Sequence, residues 1–144
     1  MPPIKVRTRV PSITHLVPSN RLVLDTDIVI HLLKKNPEVV AKFLALKETK
    51  TLFLISPVVV AEIYAGAFLH EHKDIEAFFD LCLRIDIDSK TGRTAGQFAH
   101  RFRKSFIGIS LEDYLIAATA STHTCAIWTG NRKHYPMPEV LFFE

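Results

Sequence analysis

The sequence is poor in cysteine and lacks an internal repeat, a low-complexity segment and an uninterrupted hydrophobic run. The two cysteines, Cys82 and Cys125, have neither a zinc-ligand spacing nor the density of a secreted disulfide scaffold. We therefore expect reduced thiols and a cytoplasmic protein.

The most apolar stretch, residues 52–69, is nearly long enough for a membrane span, but Pro57 and Glu62 interrupt it. A transmembrane helix needs about 20 apolar residues. The first sixteen residues also lack the continuous apolar run of a secretory signal. These features predict a buried strand followed by a buried helix, and no contact with a membrane.

What the chain does have is core-forming material. Of its 144 residues, 48% are hydrophobic and 23% are charged, which fits a single domain with one sizeable core. Eighteen Lys and Arg against fifteen Asp and Glu give a net charge of +3. This mild basicity is compatible with a polyanionic partner such as nucleic acid, but does not require one.

Short apolar runs alternate with segments of helical spacing along the chain. Within most of these runs nearly every residue is apolar, and apolar and polar residues do not alternate. This predicts an α/β fold with a central, mainly parallel sheet covered on both faces. We expect Leu44 on the buried face of the second helix and Ser89 as the cap of a long helix reaching Lys104. The strands are expected at residues 22–24, 52–55, 84–87, 125–128 and 140–143.

Three acidic residues fall where such a sheet places a binding site. Asp25 follows the first strand, Glu62 lies in the helix launched from the second strand, and Asp113 lies in the first turn of a helix that Ser110 caps. Ligands collect at the carboxyl ends of parallel strands. Converging carboxylates repel one another unless a cation neutralises them, and their hard oxygens favour Mg²⁺ or Mn²⁺.

Each acid also has a simpler interpretation. Asp25 could cap the helix that follows it, Asp113 could favour its helix dipole, and Glu62 could be solvated. Solvation is hardest to accept for Glu62, because its neighbours in the sequence are almost all apolar.

Four segments of the chain carry acids or turn residues in a recognisable order. They are residues 22–30, 55–63, 111–120 and 128–136. In this order, with matching strand and helix character, they resemble the PIN-domain nucleases, and within them the VapC-type toxins of toxin–antitoxin pairs. The resemblance covers residues 21–143 and assigns residues 21–144 to a three-layer α/β/α PIN-like domain.

The resemblance implies a Mg²⁺-dependent (or Mn²⁺-dependent) endoribonuclease toxin acting on transfer RNA or other structured RNA. It also implies a cognate antitoxin and a homodimer. Asp25 matches the family's first metal-binding aspartate, Glu62 its helix glutamate, and Asp113 the aspartate that opens the helix with the Ala-Ala-Thr-Ala run. Hydrolysis by water would leave 5′-phosphate and 3′-hydroxyl ends.

Two positions depart from the family pattern. Asn131 stands where many relatives place a fourth acid, and either holds a water or phosphate by hydrogen bonds or is an ordinary turn residue. His134 stands where relatives often carry aspartate, and either faces RNA or is an ordinary surface histidine, of which we expect the second.

Substrate contacts are assigned to side chains around the same turn. Thr26 and Thr129 would bind ligand or phosphate through their hydroxyls, or only satisfy backbone groups. Arg132 and Lys133 follow the turn directly and would contact phosphates. A second basic group, formed by Arg101, Arg103 and Lys104, is interpreted first as solvated helix charge and second as a phosphate contact.

Two other functions remain open at this point. Asp25-Thr26-Asp27 after an apolar strand resembles the nucleophile motif of haloacid-dehalogenase-like phosphatases, but the later motifs are missing, and Asp27 is better taken as a near-site residue. The neutral Asn131 leaves room for a catalytically silent domain that binds RNA or a partner. Residues 1–20 form a basic extension, either an edge strand or a flexible arm.

Overall fold

A computed structural model describes residues 6–7 and 20–143. Its strands form one sheet in the order β1-β6-β5-β2-β3-β4. The five strands β2 to β6 run parallel, and β1 pairs antiparallel with β6. The strands are β1 Val6–Arg7, β2 Arg21–Leu24, β3 Leu52–Ile55, β4 Leu83–Arg84, β5 Ala126–Trp128 and β6 Leu141–Phe143.

Among the described residues, six α-helices cover this sheet, as predicted for a three-layer α/β/α domain. Helix α1 packs against α2, α3 and α4, whereas α5 packs mainly on α6. Within residues 20–143 none of the helices is both long and apolar enough to cross a lipid bilayer. The helices are α1 Thr26–Leu33, α2 Pro37–Glu48, α3 Pro57–Ala65, α4 His72–Phe79, α5 Ser89–Phe102 and α6 Leu111–Thr122.

Local capping chemistry fixes where several helices begin. The Ser56 hydroxyl accepts a hydrogen bond from the Val58 N–H at 3.2 Å, with Pro57 in the first turn of α3. Ser110 and Asp113 form the predicted capping box at the start of α6. These caps place each helix directly after the strand or loop that leads into it.

The core centres on the three middle strands. Apart from the first residues of β2 and β3, the side chains of β2, β3 and β5 are buried, because helices cover both faces of a parallel sheet. Ala117 and Ala118 of α6 are fully buried as well. The apolar stretch 52–69 is thus a strand and a core helix, as predicted.

Three local expectations were wrong. Leu44 is 54% exposed, because α2 buries only Phe43 and Leu46, one turn apart. Asp88, not Ser89, caps α5, since its carboxylate reaches the Thr91 N–H at 2.9 Å. Strand β4 is limited to residues 83–84, where it pairs with β3.

The amino-terminal extension contributes an edge strand. Val6 pairs with Phe143 and Arg7 with Phe142. This agrees with the predicted edge strand at these two residues, and the rest of residues 1–19 lies outside the described part of the chain.

Both cysteines are free thiols, and we expect them to react slowly. Burial raises the pKa of Cys82 to about 12 and also raises the pKa of Cys125. Because only the thiolate attacks a disulfide reagent, Cys82 should react at least about a hundredfold more slowly than an unfolded thiol near neutral pH. Ellman titration of native and urea-unfolded protein measures this, and equal rates would contradict it.

Candidate active site

Asp25 lies at the junction of β2 and α1, at the carboxyl edge of the sheet. Its N–H donates to the Trp128 carbonyl at 3.0 Å, which ties the ends of β2 and β5 together. Its side chain is 8% exposed, and Oδ1 accepts from the Thr26 N–H at 2.8 Å. Asp25 is therefore a helix cap and also a carboxylate at the sheet edge.

The second oxygen of Asp25 is held by two hydroxyls. Asp25 Oδ2 accepts from Thr129 Oγ1 and from the Tyr135 hydroxyl, each at 2.8 Å. Tyr135 is fully buried, and burial and then the Asp25 charge raise the pKa of its phenol. The phenol therefore stays neutral and donates to the carboxylate. Sequence reasoning missed Tyr135, although it lies in the fourth motif segment.

Asp27 fixes the turn after β5. Asp27 Oδ1 accepts from the Ile28 N–H at 2.9 Å, and Oδ2 accepts from the Gly130 N–H at 2.8 Å. Burial raises the pKa of Asp27, and the neighbouring Asp25 charge adds to this. The interpretation of Asp27 as a near-site residue agrees with these contacts.

A side chain at Gly130 would meet the Asp27 carboxylate, and we expect Gly130→Ala to destabilise the protein. A Cβ at position 130 would lie 2.6 Å from Asp27 Oδ2. The carboxylate would have to move and give up the 130 N–H, at a cost of about 1–3 kcal/mol. Urea denaturation measures the loss. Combining Gly130→Ala with Asp27→Ala should cost less than the sum of the single changes, and additive costs would contradict a clash between these residues.

Glu62 lies on α3 and contacts α1. Its Oε1 accepts from the Thr26 hydroxyl at 2.8 Å. The residue is exposed, because Val59 and Ile63 of the same helix face the core instead, so the expected apolar surroundings were wrong. Partial burial of the carboxyl raises the pKa of Glu62, and the charges of Asp25 and Asp113 raise it further. Asp25 and Asp113 therefore both act electrostatically on Glu62.

Asp113 caps α6 and also contacts His134. Asp113 Oδ2 accepts from the N–H and from the hydroxyl of Ser110, each at 3.1 Å. His134 Nδ1 lies 3.2 Å from the same oxygen. The His134 side chain is 32% exposed, so the expected surface histidine is in fact partly buried against this acid. Its ring also lies 3.1 Å from the Asn131 side-chain nitrogen.

The remaining predicted site residues make contacts within the protein. The Thr129 hydroxyl accepts from the Asn131 N–H at 2.9 Å, in addition to its bond with Asp25. Arg132 donates to the Phe143 carbonyl at 3.1 Å, and its guanidinium lies over the Phe142 ring. Lys133 is exposed beside the turn. Of the two basic residues, Arg132 contacts the protein and the charge of Lys133 faces solvent.

The three acids suit a hydrated divalent cation by donor type. Within residues 6–7 and 20–143, no three Asp, Glu, His or Cys side chains form a ready-made metal cage. Mg²⁺ does not need one, because it keeps several waters and binds through one or two carboxylates. Burial is the main cause of the raised pKa of Glu62, and the charges of Asp25 and Asp113 add a repulsion that a cation would relieve. Asp25, Glu62 and Asp113 thus fit Mg²⁺, and their role as its ligands stays a prediction.

Comparison with known proteins agrees with this architecture. The PIN domain family model matches residues 22–139. The chain therefore belongs to the PIN-domain family. Ribonuclease VapC19 of Mycobacterium tuberculosis is 32% identical over 114 residues, which cover 79% of this chain and 91% of that protein. The resemblance to the VapC-type members is thereby confirmed.

Solved structures show the same fold. A chain of VapBC2 from Rickettsia felis, in a structure bound to a promoter DNA fragment, superposes on this chain with a TM-score of 0.75 at 22% identity. The match covers 86% of this chain and 97% of that chain. A chain of DNA-bound VapBC from Salmonella typhimurium gives a TM-score of 0.72 at 21% identity, and the match covers 83% of this chain and 94% of that chain. The predicted α/β/α PIN-like fold is confirmed.

Proposed function

We propose that this chain is a Mg²⁺-dependent endoribonuclease toxin that hydrolyses phosphodiester bonds in RNA. The observation that carries the proposal is the similarity to Ribonuclease VapC19 over 91% of that protein. The PIN domain match, residues 22–139, contains all three acids. A haloacid-dehalogenase-like phosphatase is not favoured, because it would leave Glu62 and Asp113 without a role. A silent domain is not favoured either, since the three carboxylates are all retained.

Asp25, Glu62 and Asp113 would hold the ion. When bound, Mg²⁺ would lower the pKa of water and offset the negative charge that develops on the phosphate. Glu62 is better suited than Asp25 to accept the proton of the attacking water, because Asp25 Oδ2 already receives two hydrogen bonds. Lys133 and the Asn131 amide would contact the scissile phosphate from the turn after β5.

The proposed partners follow from the relatives. The solved structures of similar fold are VapBC complexes, which supports a cognate antitoxin for this chain. We also propose a homodimer and a cytoplasmic location, with transfer RNA or another structured RNA as substrate.

Cleavage of purified transfer RNA tests the proposal directly. We expect cleavage with Mg²⁺, none with EDTA, and restoration when Mg²⁺ is added back in excess. Because water is the proposed nucleophile, the products should carry 5′-phosphate and 3′-hydroxyl ends. Metal-independent cleavage would contradict the role of Mg²⁺. Ends that carry 2′,3′-cyclic phosphate would show that the ribose hydroxyl, not water, is the nucleophile.

A further inference from the structure

The segment from Ser89 to Leu111 contains five Lys or Arg residues and no Asp or Glu. Its charge of +5 exceeds the +3 of the whole chain, so the rest of the protein is net acidic. The segment comprises α5 and the loop after it, residues 103–110. A positive field of this kind, confined to one element and one loop, attracts a polyanion.

The fold brings this loop to the candidate active site. Helices α5 and α6 form an antiparallel pair, since Thr91 near the start of α5 lies 3.4 Å, hydroxyl to hydroxyl, from Thr122 at the end of α6. The loop therefore meets the first turn of α6, which carries Asp113. Burial raises the pKa of Tyr114 and the charge of Arg103 opposes this rise, which agrees with Arg103 lying near that turn.

The structure separates the basic residues that the sequence grouped together. Arg101 forms an ion pair with Glu139, and its guanidinium lies 4.7 Å from the centre of the Phe102 ring. Arg103 and Lys104 are instead exposed on the loop. Arg101 thus has a structural role, whereas the charges of the other two face solvent on the loop that leads into α6.

The same loop exposes apolar surface. Phe106 is 43% exposed, with its ring centre 6.0 Å from that of Phe102, and Ile107 is 94% exposed. Gly108 follows in a left-handed conformation, with φ of 96°, which turns the chain toward α6. An exposed aromatic ring beside two cations is the combination that binds single-stranded nucleic acid, since bases stack on the ring while the cations contact phosphates.

We propose that loop 103–110 binds unpaired nucleotides of the RNA substrate, with Phe106 stacking on a base and Arg103 and Lys104 contacting phosphates. The proposal rests on the proposed ribonuclease function. It assigns to this loop the recognition of a single-stranded region next to the cleaved bond. A protein partner is less favoured, because loop 103–110 itself carries two cations and no acidic residue, which matches a polyanion better.

Fluorescence anisotropy with a short labelled single-stranded RNA tests this assignment. Measurements in EDTA exclude cleavage, so the result does not depend on whether the chain is a nuclease. Arg103→Gln with Lys104→Gln should weaken binding about tenfold. It should also make the salt slope, the slope of log affinity against log salt concentration, shallower by about 1.4, the value for two lost phosphate contacts on a single strand. Phe106→Ala should weaken binding about tenfold without changing the salt slope, and Phe106→Trp should restore it.

Lys42→Gln with Lys47→Gln, on the exposed side of α2, is the matched control and should change the affinity little. Equal effects of the two double variants would overturn the proposal. So would a Phe106→Ala variant that binds RNA normally but changes its oligomeric state, since the loop would then be a protein interface. If the protein cleaves RNA but its loop variants bind RNA normally, the loop assignment is wrong and the nuclease function stands. If binding depends on the loop but the protein does not cleave RNA, the nuclease function is wrong and the loop assignment stands.

Discussion

Asp25→Asn is expected to lower RNA cleavage by at least about a hundredfold. The substitution removes one of the three negative charges proposed to hold Mg²⁺, and the loss of a metal ligand affects both ion binding and the reaction. It also places an amide where Thr129 and Tyr135 each donate a hydrogen bond. If the amide nitrogen faces these hydroxyls, the donors lose their acceptor, at about 1–3 kcal/mol of stability.

Single-turnover cleavage in saturating Mg²⁺, well below the unfolding temperature, separates the chemical effect from the loss of stability. Asp113→Asn should behave similarly, because its carboxylate is part of the same acidic group. Glu38→Gln removes an exposed charge at the start of α2 and should leave cleavage unchanged. Full activity of Asp25→Asn would exclude Asp25 as a ligand and leave the family resemblance without its central residue.

The fold could be predicted well because its determinants are local. Ser56 with Pro57, and Ser110 with Asp113, each mark a helix start within a few residues, and the apolar runs mark the central strands. One error arose where two local signals compete. Asp88 and Ser89 are adjacent capping residues, and the one whose side chain reaches the Thr91 N–H forms the cap.

Part of the site follows from the topology that the sequence predicts. Strands β2 and β5 are parallel neighbours, with Leu24 opposite Trp128, so the next residues, Asp25 and Thr129, meet at the sheet edge. The approximate position of Asp25 beside the turn was therefore predictable from the strand ends. Its pairing with a particular hydroxyl was not.

Other contacts depend on pairs that are far apart in sequence. Asp27 and Gly130 are separated by 103 positions, and the direction of the Asp27 side chain depends on the geometry of the first turn of α1. His134 was expected at the surface because it lies in a basic segment, yet a short 3-10 helix at residues 132–134 brings its ring to Asp113. No local pattern encodes such distances, because the packing of separate elements sets them.

The Tyr135 contact is the clearest case, and it leads to the second large expected effect. Tyr135→Phe should weaken Mg²⁺ binding about tenfold and lower stability by about 1.5–3 kcal/mol. The phenol is fully buried and donates to Asp25 Oδ2 at 2.8 Å, which is a hydrogen bond to a charged group in a low-dielectric site. Loss of a hydrogen bond that orients a ligating carboxylate typically lowers metal affinity by roughly ten- to a hundredfold.

Phenylalanine preserves the ring and its edge contact with Phe142, so the substitution tests the hydroxyl alone. The Mg²⁺ concentration for half-maximal cleavage and the binding of Mn²⁺ by electron paramagnetic resonance provide two readouts, of which the second needs no activity. A double-mutant cycle with Asp25→Asn assigns the effect to this pair. If Tyr135 acts by orienting Asp25, then Tyr135→Phe should have little further effect on Mn²⁺ binding once Asp25 is replaced. If both changes weaken binding independently, the hydroxyl serves the core and not the carboxylate.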